Sequence, residues 1–168
     1  LVTVIILSIG LLGMAGLQSR LQQSEMDAYQ RSQALILLND MANRIAINRN
    51  AAPNYSAAIS NIGAGMTCPT TTSTQLQRDA SEWCLALQGA GETLAGSSVG
   101  AMVGGRGCVE SLGGGEYLIT VAWQGLTPLV APPASVACGA GSYGPAGSIC
   151  ADDVCRRVVT TIVRVAAL

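Results

Sequence analysis

The chain of 168 residues contains no histidine, no lysine and no phenylalanine, and only 11% of its residues are charged. Each absence removes a class of chemistry. Without imidazole there is no Ser-His-Asp or Cys-His nucleophilic system and no zinc site that uses histidine. Without lysine there is no Walker-type phosphate loop and no Schiff base. The glycine-rich stretch VGGRG leads into a strand pattern instead of a helix, so it reads as a linker or hairpin lead-in. A net charge of −1 gives no overall pull toward nucleic acid or an anionic membrane. Neither catalysis nor a cofactor or metal is expected.

Proline and glycine are missing from one long region. From Leu1 to about Asn50 there is no proline, and between Gly16 and Gly63 there is no glycine. Leu1 to Leu17 also carries no charge. Its length is close to the lower limit for a bilayer span, about 17 residues. The run has no basic flank and passes directly into a polar helical pattern, which favours a retained anchor over a cleaved signal peptide. Within it Gly10, Gly13 and Gly16 recur every third residue. Each costs about 1 kcal/mol relative to alanine in a helix, in return for close packing or local loss of helix.

Beyond the apolar run, Leu17, Leu21, Ala28, Leu35, Leu38, Ala42 and Ile45 form the stripe of a helix with one buried face. NRNAAPNYS should end this helix between Asn48 and Asn54. A helix of 50 residues would be about 75 Å long, so its first half must project from a domain of this size. The division expected is residues 1–50 as the long helix, with 1–17 the membrane or filament-core part and 18–50 amphipathic, and residues 51–168 as a globular head.

NIGAGMTCPTTTST reads as an irregular loop. Thr74 and Gln77 have the spacing of a capping box, and Leu76, Ala80, Trp83 and Leu87 repeat with a helical period. These predict a second helix from Gln75 to Gln88, stopped by Gly89 and Gly91. The period then changes to two. In EYLITVAW, Tyr117, Ile119, Val121 and Trp123 alternate with Leu118, Thr120 and Ala122. A strand from Arg106 to Leu112 can pair with it through GGG, and the tail CRRVVTTIVRVAAL makes another strand with Val159, Thr161, Val163 and Val165 on one face. An α+β fold follows: a long helix whose second half packs on an antiparallel sheet of about three or four strands, with a short second helix and stapled loops.

Cys68, Cys84, Cys108, Cys138, Cys150 and Cys155 are even in number and lie C-terminal to the apolar segment. They read as disulfides of an oxidising compartment, because the paired close spacings of a zinc ribbon are missing. Spacing leaves fifteen pairings open. A bond from Cys138 to Cys150 or Cys155 is preferred, since it would staple the Pro/Gly-rich loop from Thr127 to Asp153. Arg156, Arg157 and Arg164 are read as a basic edge that keeps a strand soluble, and Asp152 and Asp153 as local ion-pair partners or a cation site, the latter only if loop carbonyls add to two carboxylates that are too few for Ca²⁺.

LVTVIILSIGLLGMAGLQ followed by a polar amphipathic helix resembles the N-terminal helix of type IV pilins. With LLNDMANRIAINRNA, EWCLAL, GGGEYLITVAWQGLTPL and CRRVVTTIVRVA, the chain resembles the PilV minor pilins, the type IV pilus modification proteins. The family's N-methylated Phe and its Glu have no counterpart from Leu1 onward, and both are expected ahead of it. The resemblance implies a structural, non-enzymatic subunit of the type IV pilus. It would join PilW-, PilX- and FimU/PilE-like minor pilins and the major pilin, with an adhesin-like tip protein as a further partner. The implied location is the inner membrane with the head in the periplasm, then the surface fimbrium, in support of adhesion and twitching motility. Leu1, Val4, Ile5, Leu7, Leu11, Leu12 and Leu17 are the residues expected to meet lipid and then neighbouring helices. A type II secretion pseudopilin is the alternative of the same architecture, and a DNA- or surface-binding pilin is another.

Overall fold

The computed structural model describes residues 2–91, 93–95, 97–98, 100 and 102–166. Helix α1 runs unbroken from Val2 to Ile47. A 3-10 turn at Arg49–Ala51 then leads into α2, Ala52–Ala58, which has Pro53 in its first turn. Proline is well placed there, because the first amides of a helix have no partner to lose. NRNAAPNYS therefore ends one helix and starts another.

Helix α3, Gln75–Leu87, begins on the expected capping box: the Gln77 amide donates to the Thr74 hydroxyl and the Gln77 side chain accepts from the Thr74 amide. It ends at Gly89, whose φ is +77°. There the Gly89 amide reaches the Ala86 carbonyl and the Ala90 amide reaches Leu85, the paired bonds of a Schellman turn.

The strands are β1 (Ile62–Gly63), β2 (Thr93–Leu94), β3 (Ser97–Ser98), β4 (Arg106–Gly113), β5 (Glu116–Gln124) and β6 (Arg156–Arg164). The main sheet is antiparallel in the order β1-β4-β5-β6, and β2 pairs with β3 as a separate ribbon. Gly113, Gly114 and Gly115, all at positive φ, make the β4–β5 turn that GGG predicts.

The sheet has two covered faces. Tyr117, Ile119, Val121 and Trp123 point into the main core with Val109, Leu38, Met41, Ile45, Tyr55 and Trp83. Trp83 lies against Gly107 so closely that any side chain there would collide with the ring. Its indole N–H donates to the Leu37 carbonyl at 2.9 Å, tying α3 to α1. On the opposite face Cys108, Ala122, Cys138 and Tyr143 form a second, smaller cluster beneath the 125–155 loop. Thr120 and Ala122 are consequently buried as well, where simple alternation places them outside.

The buried stripe of α1 is Gln30, Ala34, Leu38, Met41 and Ile45. This corrects the sequence expectation, in which Leu17, Leu21, Ala28 and Leu35 shared that face; all four are exposed. The buried face carries small Ala34 and Gln30, whose amide has no hydrogen-bond partner among the described residues, while the larger leucines at 17, 21 and 35 are exposed.

Candidate functional site

Among the described residues the first half of α1 is uncovered by the head. The apolar residues from Val2 to Leu17 are exposed, among them Val4, Ile5, Leu7, Leu11, Leu12 and Leu17. Leu1 lies outside the described residues. Gly10, Gly13 and Gly16 have open space where a side chain would stand. This stretch makes α1 long and apolar enough to cross a membrane. Shielding each leucine, isoleucine or valine from water is worth roughly 1.5–3 kcal/mol, so lipid or other helices are strongly favoured neighbours.

The second half is tied down by a polar network as well as by the core. The Asp79 carboxylate, buried within α3, accepts from the Tyr55 hydroxyl, from Arg44 Nη1 at 2.9 Å and from Gln75 Nε2 at 2.8 Å. Arg44 also reaches Asp40 at 2.9 Å and Glu82 at 2.7 Å. Burial opposes its charge, but the carboxylates of Glu82, Asp79 and Asp40 outweigh that and hold the guanidinium above its ordinary range. Burial, and then the bond to Asp79, pushes Tyr55 up to about 12. α1, α2 and α3 are thus joined at one charged knot, which cysteine spacing and hydrophobic period could not reveal.

All six cysteines are paired: Cys68–Cys84, Cys108–Cys138 and Cys150–Cys155. The first fastens the irregular loop to α3. The second joins β4 to the 125–155 loop, and the third closes a tight turn before β6. The preferred bond from Cys138 to Cys150 or Cys155 is thereby corrected. The loop folds back over the outer sheet face and brings Cys138 above Cys108, a proximity set by topology instead of by sequence distance.

Arg156 is a second correction, because it is buried and not part of an exposed basic edge. Its Nη1 donates to the carbonyls of Val136 at 2.6 Å and Cys138 at 3.1 Å, while Nε faces Asp153 at 3.2 Å. Asp153 in turn accepts the Gly141 amide at 2.9 Å. Asp152 and Asp153 both hold positive φ inside the Cys150–Cys155 turn. Tyr143 donates to the Gly104 carbonyl at 2.9 Å, and burial moves its hydroxyl well above the usual range. Arg157 adds bonds to the Thr127 carbonyl at 2.6 Å and the Val154 carbonyl at 3.1 Å, so a long segment with almost no regular structure is fixed by two guanidinium groups, one phenol and two disulfides.

Residues 16–91 match a protein-family model, Tt1218-like, described as type IV pilin Tt1218. The fold is that of a type IV pilin. The match begins in the exposed half of α1 and takes in α2, β1, α3 and the Asp79 network, whereas β4, β5, β6 and the stapled loop lie beyond it. No curated protein and no solved structure matches the chain.

Proposed function

We propose that this pilin is a minor, PilV-like subunit that joins other minor pilins in an initiation or tip complex supporting pilus biogenesis, adhesion and motility. The observation that carries the reading is the continuity of α1, one helix that is apolar and uncovered over Val2–Leu17 and packed into the head from Gln30. Residues 1–17 hold the subunit in the inner membrane and later line the filament core, 18–50 connect, and 51–168 form a head that oxidises its cysteines in the periplasm. Val4, Ile5, Leu7, Leu11, Leu12 and Leu17, together with Leu1, exchange lipid for neighbouring helices on assembly. The exchange needs no specific chemistry, only a continuous apolar surface. The role is structural and not catalytic.

Deleting the gene and counting surface pili by electron microscopy tests this, alongside an assay of protein secretion. Few or no pili, restored by the intact gene, is the expected result. Lost secretion with pili intact would assign the subunit to a type II secretion pseudopilus instead. Site-specific cross-linking from the head should capture other minor pilins in substoichiometric complexes. Uniform cross-linking along the pilus shaft would remove the minor-pilin role.

A further inference from the structure

The two edges of the main sheet are finished differently. At one edge β1 covers only two residues of β4, the Val109 amide is taken by the Ile59 carbonyl, and the β4–β5 register slips between Ser111 and Gly113. Short strands and bulges of this kind discourage further pairing. At the other edge β6 pairs with β5 over nine residues without a register break and contains no proline.

The direction of the free groups on β6 follows from the bonds flanking it. The Gly125 amide donates to the Cys155 carbonyl at 2.8 Å, and the Val165 amide to Gly115 at 2.8 Å. Antiparallel bonding alternates along the strand, so odd-numbered residues of β6 bond to β5 and even-numbered residues turn their amides and carbonyls outward. The Arg156 carbonyl is met by Arg157 Nη1 at 3.4 Å. Among the described residues, the outward backbone groups of Val158, Thr160, Ile162 and Arg164 have no backbone partner beyond β5. Four open positions in a row, on a strand rich in β-branched residues, form a template for one more strand.

That edge opens on a groove. A cavity of about 270 Å³ lies between α1 and the start of β6, lined by Asp27, Arg31, Trp123, Leu129, Arg157 and Val158. Asp27 Oδ1 is buried there without a hydrogen-bond partner. Arg31 makes no ion pair among the described residues. Arg157 donates from Nη2 to the Thr127 carbonyl at 2.6 Å and from Nη1 to the Val154 carbonyl at 3.1 Å, and it too makes no ion pair among the described residues, so two guanidinium charges stand against one carboxylate.

We propose that β6 and this groove receive an extended, acidic segment of a partner protein as a fifth strand of the sheet. Its main chain bonds to Val158, Thr160 and Ile162. Alternate side chains of an added strand face the groove, where a carboxylate meets Arg31 beside the charge of Arg157 and a hydroxyl or amide donor meets Asp27. A second copy of this chain is a poor occupant. Its β6, RRVVTTIVR, contains no acidic residue and so offers no carboxylate to the groove.

The test uses the full chain in detergent micelles and two synthetic eight-residue peptides of alternating valine and threonine, one with terminal glutamates and one with terminal lysines. Amide exchange is followed by NMR. In the free protein the amides of Val158, Thr160 and Ile162 should exchange quickly while those of Val159 and Thr161 are protected. The glutamate peptide at millimolar concentration should slow the even-numbered set. Arg31→Glu, on an exposed helix position, should weaken that peptide roughly tenfold and strengthen the lysine peptide. Thr160→Pro should abolish protection by either peptide while thermal unfolding stays cooperative. Even-numbered amides already protected in the free protein, equal protection by both peptides, or sedimentation showing a β6-dependent dimer of this chain would each overturn the proposal.

Discussion

The two halves of α1 invert the usual relation between polarity and burial. Before Gln30 the helix leaves Ile5, Leu11, Leu12 and Leu17 in the open; from Gln30 onward it buries an uncharged amide together with Ala34, Leu38, Met41 and Ile45. The difference shows where each half finds its neighbours. The packed half meets them within its own chain, through Trp83, the sheet and the Asp79 knot. The apolar half has none among the described residues, so its burial depends on lipid or on other chains.

The contrast is most strongly broken by removing the head's central side chain. Trp83→Ala should cost about 3–5 kcal/mol of head stability by denaturant unfolding, since it empties the space over Gly107 and deletes the bond to Leu37. Leu11→Ala should leave the same measurement within about 0.5 kcal/mol. A Leu11→Ala effect as large as that of Trp83→Ala would mean that the exposed half packs on the head after all. Replacing Cys68 and Cys84 by serine should come next, with a loss of about 3 kcal/mol for a loop of this size. Reduction with dithiothreitol followed by a melting scan checks it independently.

Tyr55→Phe should cost about 1–2 kcal/mol, since it removes the bond to Asp79 and the one accepted from Asn48. The same residue gives the head a sensitivity to alkali. Its folded pKa is raised from 10.0 to about 12, so the stabilisation it provides is intact below pH 10 and is lost as pH climbs toward 12. Tyr143 acts in the same direction. The melting temperature should therefore fall across that window, and less steeply in Tyr55→Phe. Thr74→Ala, which removes the cap of α3, should cost about 1 kcal/mol, with α3 amides exchanging faster than those of α1.

Much of the architecture was legible from local chemistry. The proline-free stretch marked α1, the Thr74–Gln77 pair marked the start of α3, and the change from helical period to alternation marked β5 and β6. The facing of α1 was not legible, because a hydrophobic ranking places Leu21 and Leu35 in a core that instead selects Gln30 and Ala34. α2 was hidden by reading Pro53 only as a terminator, although proline also begins helices. Cysteine pairing and the burial of Arg156 depended on how a long loop folds back over the sheet, which no short-range pattern encodes. Of the surfaces, the uncovered apolar helix could be read directly, while the open edge of β6 required its register.

The bond from the Trp83 indole to the Leu37 carbonyl also puts α3 on the path by which a load on α1 would enter the head. A pull along α1 reaches the head between Gln30 and Ile45, and from there it is shared with α3 through Trp83 and Asp79 and with the sheet through β5 and β6. The stapled loop from 125 to 155 hangs on the far face of the sheet, off this line of tension. Its outline can therefore change without altering how load passes from helix to head, as long as Cys138, Tyr143 and the carbonyls that meet Arg156 keep their places.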